Sequence, residues 1–153
     1  MRVSGPAAAV ATAGLVVAVD QVTKQLAATN IARGDQVAVI PGLDLTSTRN
    51  TGVAFGALEG GGVIVAVLIG ASLALLVGYF VVNRDRPWLW LPVGMLLGGA
   101  LGNLADRARE GAVIDFIDPV AWPAFNVADS CIVIGVIVLL WVAEGGSPRP
   151  RRA

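Results

Sequence analysis

The sequence predicts an integral membrane protein that is mainly α-helical, with four transmembrane helices in one domain of 153 residues. Two observations support this fold class. Hydrophobic residues make up 56% of the chain and charged residues 14%, whereas about a quarter of an ordinary soluble domain is charged. The hydrophobic residues also form four long runs, each near the roughly 20 residues that cross a bilayer as a helix. This composition argues against a water-soluble monomer and against a disordered chain.

The first apolar segment, 7–29, is uncharged through Val19 and then becomes amphipathic. Asp20 and Lys24 are four residues apart and therefore share one face of a continuing helix. A cleaved signal peptide is the alternative interpretation, because Arg2 precedes the uncharged stretch. The apolar residues that follow Lys24 favour a retained helix with a polar face near its end.

Three further runs predict transmembrane helices at 63–82, 88–105 and 127–143. Residues 63–82 carry no charge, and a helix of this length spans about 30 Å. Residues 88–105 are also uncharged, and the last run carries only Asp129, near its start. Glycine and alanine are frequent in these runs, which is typical of transmembrane helices that pack closely.

The placement of basic residues predicts that both chain ends face the cytoplasm. Four spans put the two ends and the short loop 83–87 on one side, including the tail 145–153. That side has the denser positive charge: Arg2, Arg84, Arg86, Arg149, Arg151 and Arg152. The longer loops, 30–62 and 106–126, then face outward. Partial alternation and β-branched residues predict short strands within 36–58, with a turn at Pro41-Gly42.

Several function classes are excluded by composition. The chain has no histidine and one cysteine, Cys131, which excludes a Ser-His-Asp or Cys-His centre, a zinc site built on His and Cys, and an internal disulfide. Eleven basic residues balance eleven acidic ones, so no positive field is available to bind nucleic acid.

Polar residues gather at the outward end of every predicted helix. Asn103, Asp106 and Arg107 share one face at positions i, i+3 and i+4, and Asn126 and Asp129 are three residues apart. The other members are Asp20, Lys24, Asn50, Thr51 and Gly52. Because polar groups are costly within a bilayer, their common membrane level favours a functional site.

Each group also has a simpler interpretation, which the sequence alone leaves open. Asp20 with Lys24 can be an i,i+4 ion pair, and Asp106 with Arg107 an interfacial charge pair. Asn126 can be a helix cap with Asp129 at the third position. Asp115 can be a loop residue that faces water.

Asp115 and Asp129 are the best candidates for catalysis. Asp115 lies within the apolar stretch 113–117, so we expect partial burial and a raised pKa. Two carboxylates are the minimum for acid–base hydrolysis without histidine or metal. One, ionised, takes a proton from water, and the other, protonated, hydrogen-bonds the scissile carbonyl and later protonates the amine.

Five motifs in order resemble those of the lipoprotein signal peptidase (signal peptidase II) family. They are DQVTK at 20–24, NTGVAF at 50–55, GGALGNLADR at 98–107, GAVIDF at 111–116 and PAFNVADS at 123–130. The resemblance implies a membrane-embedded aspartic endopeptidase that cleaves diacylglyceryl-modified prolipoproteins before the lipidated cysteine. It implies a bacterial cytoplasmic membrane protein whose active site is near the outer face.

The resemblance also implies roles for individual residues. The catalytic dyad falls on Asp115 and Asp129, and no metal or other cofactor is implied. Residues expected to bind the substrate or support the site are Asn50, Gly52, Asn103, Asp106, Arg107, Asn126, Asp20 and Lys24. The family's extracytoplasmic β-cradle falls on 36–58, and its short outer helix or flap on 106–126. We expect a monomer whose partners are the prolipoprotein substrate and membrane lipids, and not nucleic acid.

Three other functions were weighed against this one. A proton-coupled four-helix transporter would need an acidic residue at mid-membrane, and 63–82 has none. An intramembrane aspartyl protease of the presenilin kind would need a Gly-x-Gly-Asp string, which does not occur. A purely structural assembly protein would not need five polar motifs at one level.

Overall fold

The computed structural model of the chain describes residues 5–51 and 62–145, with side chains in the second range from residue 67 onward. The described residues form four helices and three strands. They are α1 (Gly5–Asn30), β1 (Gln36–Ile40), β2 (Leu43–Asn50), α2 (Gly62–Val82), α3 (Trp90–Glu110), β3 (Val113–Pro119) and α4 (Val127–Ala143). The described residues do not include Arg2, Gly52, the last part of the 36–58 segment (52–58) or residues 146–153 of the tail.

The four predicted helices are all present, and α4 has the predicted bounds. The main difference is in α3, which runs five residues beyond the predicted end. Its last turn is polar, so the end of the uncharged run did not mark the end of the helix. Gly111 terminates it with a φ of 71°, a left-handed conformation that glycine adopts without steric cost.

Helix α3 lies between α1 and α4, and its glycines allow a close approach on both sides. A Cβ at Gly99 would lie 2.6 Å from the carbonyl oxygen of Ala128 in α4. A Cβ at Gly102 would lie 2.6 Å from Oδ2 of Asp20 in α1. The glycines therefore bring the polar ends of three helices within hydrogen-bonding distance.

The three strands form one antiparallel sheet in the order β1-β2-β3. The turn at Pro41-Gly42 is confirmed, with Gly42 at a φ of 88°. A bulge between Leu45 and Thr48 adds one residue to β2, so that Thr48 pairs with Asp115. Because side chains alternate between the faces of a strand, Asn50 then shares a face with Asp115.

The expected short outer helix or flap at 106–126 is wrong. Residues 106–110 complete α3, and Val113–Pro119 form β3, which pairs with β2. Val113, Ile114 and Ile117 are β-branched and favour a strand, and the edge of β2 supplies the hydrogen-bonding partner. Strand pairing between distant segments is not visible in a local sequence pattern.

By length and hydropathy, α1 is the one helix in the described part of the chain that is long and apolar enough to cross a membrane. Its most apolar 18-residue window has a mean hydropathy of 1.4. The apolar helical stretches Val67–Val82 and Val127–Ala143 are shorter. Four helices are thus confirmed, whereas the count of four membrane spans is not.

Candidate active site

Asp115, in β3, is a buried carboxylate held by two side-chain amides. It is 3% exposed. Asn126 donates through Nδ2 to Oδ1 at 2.7 Å, and Asn50 donates through Nδ2 to Oδ2 at 3.0 Å. Burial raises the pKa of Asp115 above its ordinary value, and the negative charge of Asp129 adds to this, while the two amides and the charge of Lys24 oppose it. The expected burial and direction of the pKa shift are confirmed.

Asp129 is placed by the first turn of α4. The Asn126 side chain accepts a hydrogen bond from the Asp129 backbone N–H at 2.9 Å. In return, Oδ2 of Asp129 accepts from the Asn126 backbone N–H at 3.3 Å. This reciprocal pair is a capping box. The simpler interpretation of these two residues as a helix cap is therefore confirmed, and the cap also fixes Asp129 beside the Asp115 cluster.

Asn103, from α3, connects the two aspartates. Its Nδ2 donates to Oδ1 of Asp129 at 2.8 Å, and its Oδ1 accepts from Asn126 Nδ2 at 3.2 Å. The same Asn126 Nδ2 contacts Asp115. Asp115 and Asp129, from a strand and a helix, thus belong to one hydrogen-bonded network built on two asparagines.

Lys24, from α1, carries a buried charge beneath this network and is 1% exposed. Its Nζ lies 2.8 Å from Oδ2 of Asp20 and 2.7 Å from Oδ2 of Asp106. It also donates to Oδ1 of Asn103 at 2.8 Å. Asp20 in turn accepts from the backbone N–H of Ala128 at 2.8 Å. The cluster joins α1, α3 and α4, and its charges are paired, as burial requires.

Sequence reasoning gave no role to two residues of this cluster. Gln21 donates through Nε2 to Asp106 at 2.9 Å and to the Gly102 carbonyl at 3.2 Å. Arg109 contacts Asp106 and the side chain of Gln21. The sequence did offer a signal for Gln21, because it is a polar amide next to Asp20 in a mainly apolar helix. For Arg109 the signal was its position three residues after Asp106 on the same helix, which allows an i,i+3 ion pair. Its contact with Gln21 of α1 could not be deduced from spacing.

Most of the predicted site residues meet in this cluster, namely Asp20, Lys24, Asn50, Asn103, Asp106, Asp115, Asn126 and Asp129. The simpler pairing of Asp106 with Arg107 is wrong, because Asp106 pairs with Lys24 and Arg109. Arg107 is half-buried, and among the described residues its side chain has no hydrogen bond or ion pair. Gly52 lies outside the described residues.

The geometry provides two carboxyl groups that differ in environment. Asp115 is buried, with a raised pKa, and Asp129 is half-buried at a helix start. Neighbouring carboxyls in unequal environments can divide the roles of general acid and general base. The chemistry available to the cluster is therefore acid–base activation of water.

The model of the signal peptidase (SPase) II family matches residues 12–143 of the chain. The chain belongs to the signal peptidase II family. The resemblance of the five motifs is thereby confirmed. Membership in the signal peptidase II family argues against a transporter, a presenilin-type protease and a structural assembly protein. Asp20 and Lys24, two residues of the cluster, lie on α1.

Individual relatives cover most of the chain. The lipoprotein signal peptidase of Moorella thermoacetica is 44% identical over 129 residues, which are 83% of this chain and 86% of that protein. The lipoprotein signal peptidase of Pelotomaculum thermopropionicum is 42% identical over 88% of this chain and 90% of that protein.

Two solved structures of bacterial membrane enzymes share the fold of this signal peptidase II family member. One, at 2.3 Å resolution, has a TM-score of 0.78 and 36% identity, covering 95% of this chain and 93% of that one. The other, at 1.9 Å, has a TM-score of 0.79 and 39% identity, covering 89% and 91%. The arrangement of four helices and a small sheet is therefore that of a bacterial membrane enzyme.

Proposed function

We propose that the chain is an aspartic endopeptidase that removes the signal peptide from diacylglyceryl-modified prolipoproteins, cleaving before the lipidated cysteine. The observation that carries the proposal is the network in which Asn126 contacts both Asp115 and Asp129. Family membership supports a signal peptidase, and the network supplies the two carboxyl groups that hydrolysis without histidine requires.

In the proposed mechanism, Asp129 is the general base and Asp115 the general acid. The burial that raises the pKa of Asp115 favours a proton on that carboxyl. Asp115 then hydrogen-bonds the scissile carbonyl, while ionised Asp129 removes a proton from the attacking water. When the tetrahedral intermediate collapses, the amine leaves with a proton delivered by the dyad. The amides of Asn50, Asn103 and Asn126 hold the carboxyl groups in place throughout.

The proposed location is the bacterial cytoplasmic membrane, with both termini in the cytoplasm and the site near the outer face. Large apolar side chains are exposed along the helices, including Leu15, Leu75 and Ile137. Such a surface is favourable against lipid and unfavourable against water. A diacylglyceryl cysteine stays near the bilayer surface, because burial of its acyl chains contributes about 0.8 kcal/mol per CH₂. A site at the outward helix ends meets it at that depth.

Arg107 and Gly52 are proposed to act on the substrate and not on the dyad. Within the described residues the guanidinium of Arg107 has no protein partner, and it lies one residue beyond Asp106 on α3. Its five N–H donors suit backbone carbonyls of a bound peptide. Gly52 belongs to the same motif as Asn50, NTGVAF at 50–55.

The decisive test is the pair of variants Asp115→Asn and Asp129→Asn, assayed as purified protein on a diacylglyceryl-prolipoprotein. Each is expected to abolish cleavage, because asparagine neither accepts nor delivers the proton, while accumulation and membrane insertion persist. Asp118→Asn is the matched control. It lies on the same strand but hydrogen-bonds Gln36 at 2.8 Å, away from the cluster, and it should cleave normally. Substantial cleavage by either dyad variant rejects the mechanism.

A chelator is expected to leave the purified enzyme's rate unchanged, because two carboxyl groups suffice for the proposed chemistry. The measurement is the rate of cleavage before and after prolonged treatment with EDTA, with a zinc-dependent protease treated alongside as the positive control. A loss of activity that added metal restores would contradict a dyad mechanism.

A further inference from the structure

The buried ammonium of Lys24 has one more partner than charge pairing requires. Two of its contacts are the carboxylates of Asp20 and Asp106, at 2.8 and 2.7 Å. A lysine has three N–H donors, and the third goes to Oδ1 of Asn103 at 2.8 Å. This third contact connects a charge cluster below the site to the residue that touches Asp129.

The amide of Asn103 has two inequivalent ends, and its orientation decides what Asp129 meets. In the observed orientation, Oδ1 accepts from Lys24 and Nδ2 donates to Asp129 at 2.8 Å. A flipped amide would put its NH₂ against the ammonium of Lys24 and its oxygen against the carboxylate of Asp129. Both contacts would then be repulsive, and Asp129 would lose a hydrogen-bond donor.

Loss of Lys24 would remove one of the two repulsive contacts that disfavour the flipped amide. Asn126 Nδ2 also donates to Oδ1 of Asn103, but at 3.2 Å, and the same Nδ2 is shared with the Ile114 carbonyl and with Asp115. The ammonium is closer and charged, and a charge-assisted hydrogen bond is about twice as strong as a neutral one.

We propose that Lys24 is a positioning residue for Asp129, acting through the amide of Asn103. The inference rests on the proposed function, since it concerns the orientation of the proposed general base. Lys24 does not touch the reacting atoms. It makes the flipped amide unfavourable, so that every folded molecule presents an N–H donor to Asp129.

The test is a double-mutant cycle on cleavage of the diacylglyceryl-prolipoprotein, with Lys24→Met, Asn103→Leu and the double variant. A misplacement of about 1 Å can reduce activity about 100-fold, so each single variant is expected to lose up to about that factor in kcat. If Lys24 acts through Asn103, the double variant should have nearly the same kcat as the worse single variant. KM should change less than kcat, because in this proposal both residues act on Asp129.

A purely structural role predicts a different outcome. The two losses in kcat per folded molecule would then multiply, or Lys24→Met would lower the amount of folded protein without changing kcat. Folded enzyme is quantified by size-exclusion chromatography and thermal unfolding before each assay. Multiplying losses, or an unchanged kcat, would overturn the proposal.

Lys24→Met leaves two buried carboxylates without their cation, so the same cycle is also run in an Asp20→Asn background. There the remaining carboxylate, Asp106, still contacts Arg109 at 3.2 Å. Asp20→Asn alone is the matched structural control. It weakens the same cluster without removing the contact between Lys24 and Asn103.

The pH profile of kcat gives an independent readout. The charged and titratable groups of the cluster are Asp20 and Lys24 from α1, Asp106 and Arg109 from α3, Asp115 from β3 and Asp129 from α4. Loss of the ammonium and of the oriented donor disfavours ionised dyad carboxyls, so Lys24→Met should move the profile to higher pH. Asp20→Asn removes a negative charge, which favours ionised dyad carboxyls, so this variant should not move the pH profile of kcat to higher pH. An unmoved profile in Lys24→Met contradicts the proposal, whereas cleavage by Asp115→Asn or Asp129→Asn would contradict the proposed function instead.

Discussion

At the scale of single residues, three asparagines determine the environment of the two aspartates. Asn50 and Asn126 donate to Asp115, and Asn103 donates to Asp129. An amide can donate a hydrogen bond to a carboxyl group without adding a positive charge. The three asparagines therefore fix the carboxyl oxygens without neutralising the negative charge of the dyad. Lysine or arginine at the same positions would hold the carboxyls as firmly but would pair with their charge.

The raised pKa of Asp115 predicts a pH-dependent stability difference between Asp115→Asn and the unchanged protein. An unfolded aspartate has a pKa of about 3.9. Because the folded pKa is higher, the folded state holds a proton that the unfolded state has lost, and stability falls as the pH rises through this window. Asparagine does not ionise. The difference in Tm, variant minus unchanged protein, should therefore increase from about pH 4 upward.

This difference is measured by thermal unfolding in detergent across the pH range. Asp118→Asn on the same strand controls for the general effect of removing an acidic residue. A Tm difference for Asp115→Asn that stays constant with pH would contradict the raised pKa.

Most of the residues of the site could be predicted from the sequence, but few of their contacts could. Asp115, Asp129 and the asparagines stand in recognisable motifs, and the i,i+4 pairing of Asp20 with Lys24 follows from helix geometry alone. Two partners of Asp106 could not be deduced, because Lys24 and Ile114 reach it from α1 and β3. Helical spacing indicates which residues share a face, but not which helix covers that face.

At the scale of elements, α3 is the helix on which the site depends. It supplies Asn103 and Asp106 and lies against α1 and α4. Its predicted end was five residues short, and β3 was expected as a helix or flap. Both errors have the same cause: hydropathy locates the apolar part of a helix, whereas its polar end and the strand that follows are fixed by contacts with β2 and α1.

Gly102→Ala is expected to destabilise the protein by about 1–3 kcal/mol, the usual cost of overpacking. The added Cβ would lie 2.6 Å from Oδ2 of Asp20. That carboxylate cannot move away freely, because it is held by Lys24 and by the backbone of Ala128. The expected result is a lower Tm and reduced accumulation.

Gly70→Ala in α2 is the matched control, since a Cβ there meets no atom of the described residues within 4 Å. Alanine is a better helix former than glycine by about 1 kcal/mol, so this variant should be neutral or slightly stabilised. Equal Tm values for the Gly102→Ala and Gly70→Ala variants would show that the close approach of α3 to α1 does not limit stability.

At the scale of the whole molecule, the site lies at one end of the helix bundle and an apolar core at the other. The core cluster contains Ala9, Phe80, Leu89, Val93 and Val142. It lies beside the loop 83–87, where Arg84 is exposed. The sheet and the polar cluster lie at the opposite end. In the proposed orientation, the end with the loop 83–87 faces the cytoplasm and the end with the polar cluster faces outward.

The proposed orientation predicts that Arg84→Cys is labelled from the cytoplasm and Arg33→Cys from outside. Both positions are exposed, and they lie at opposite ends of the bundle. Each is introduced into a Cys131→Ser background, so that the chain carries one thiol. Intact cells are treated with a membrane-impermeant maleimide. Labelling of Arg84→Cys but not of Arg33→Cys would reverse the orientation.

Asn126 caps the start of α4 and also contacts both aspartates of the proposed dyad. Serine or aspartate would start the helix equally well, but neither has the NH₂ group that donates to Asp115. One side chain therefore both caps the first turn of α4 and holds the proposed dyad. We expect a substitution at this position that leaves the helix intact to reduce cleavage all the same, so a folded Asn126 variant need not be an active one.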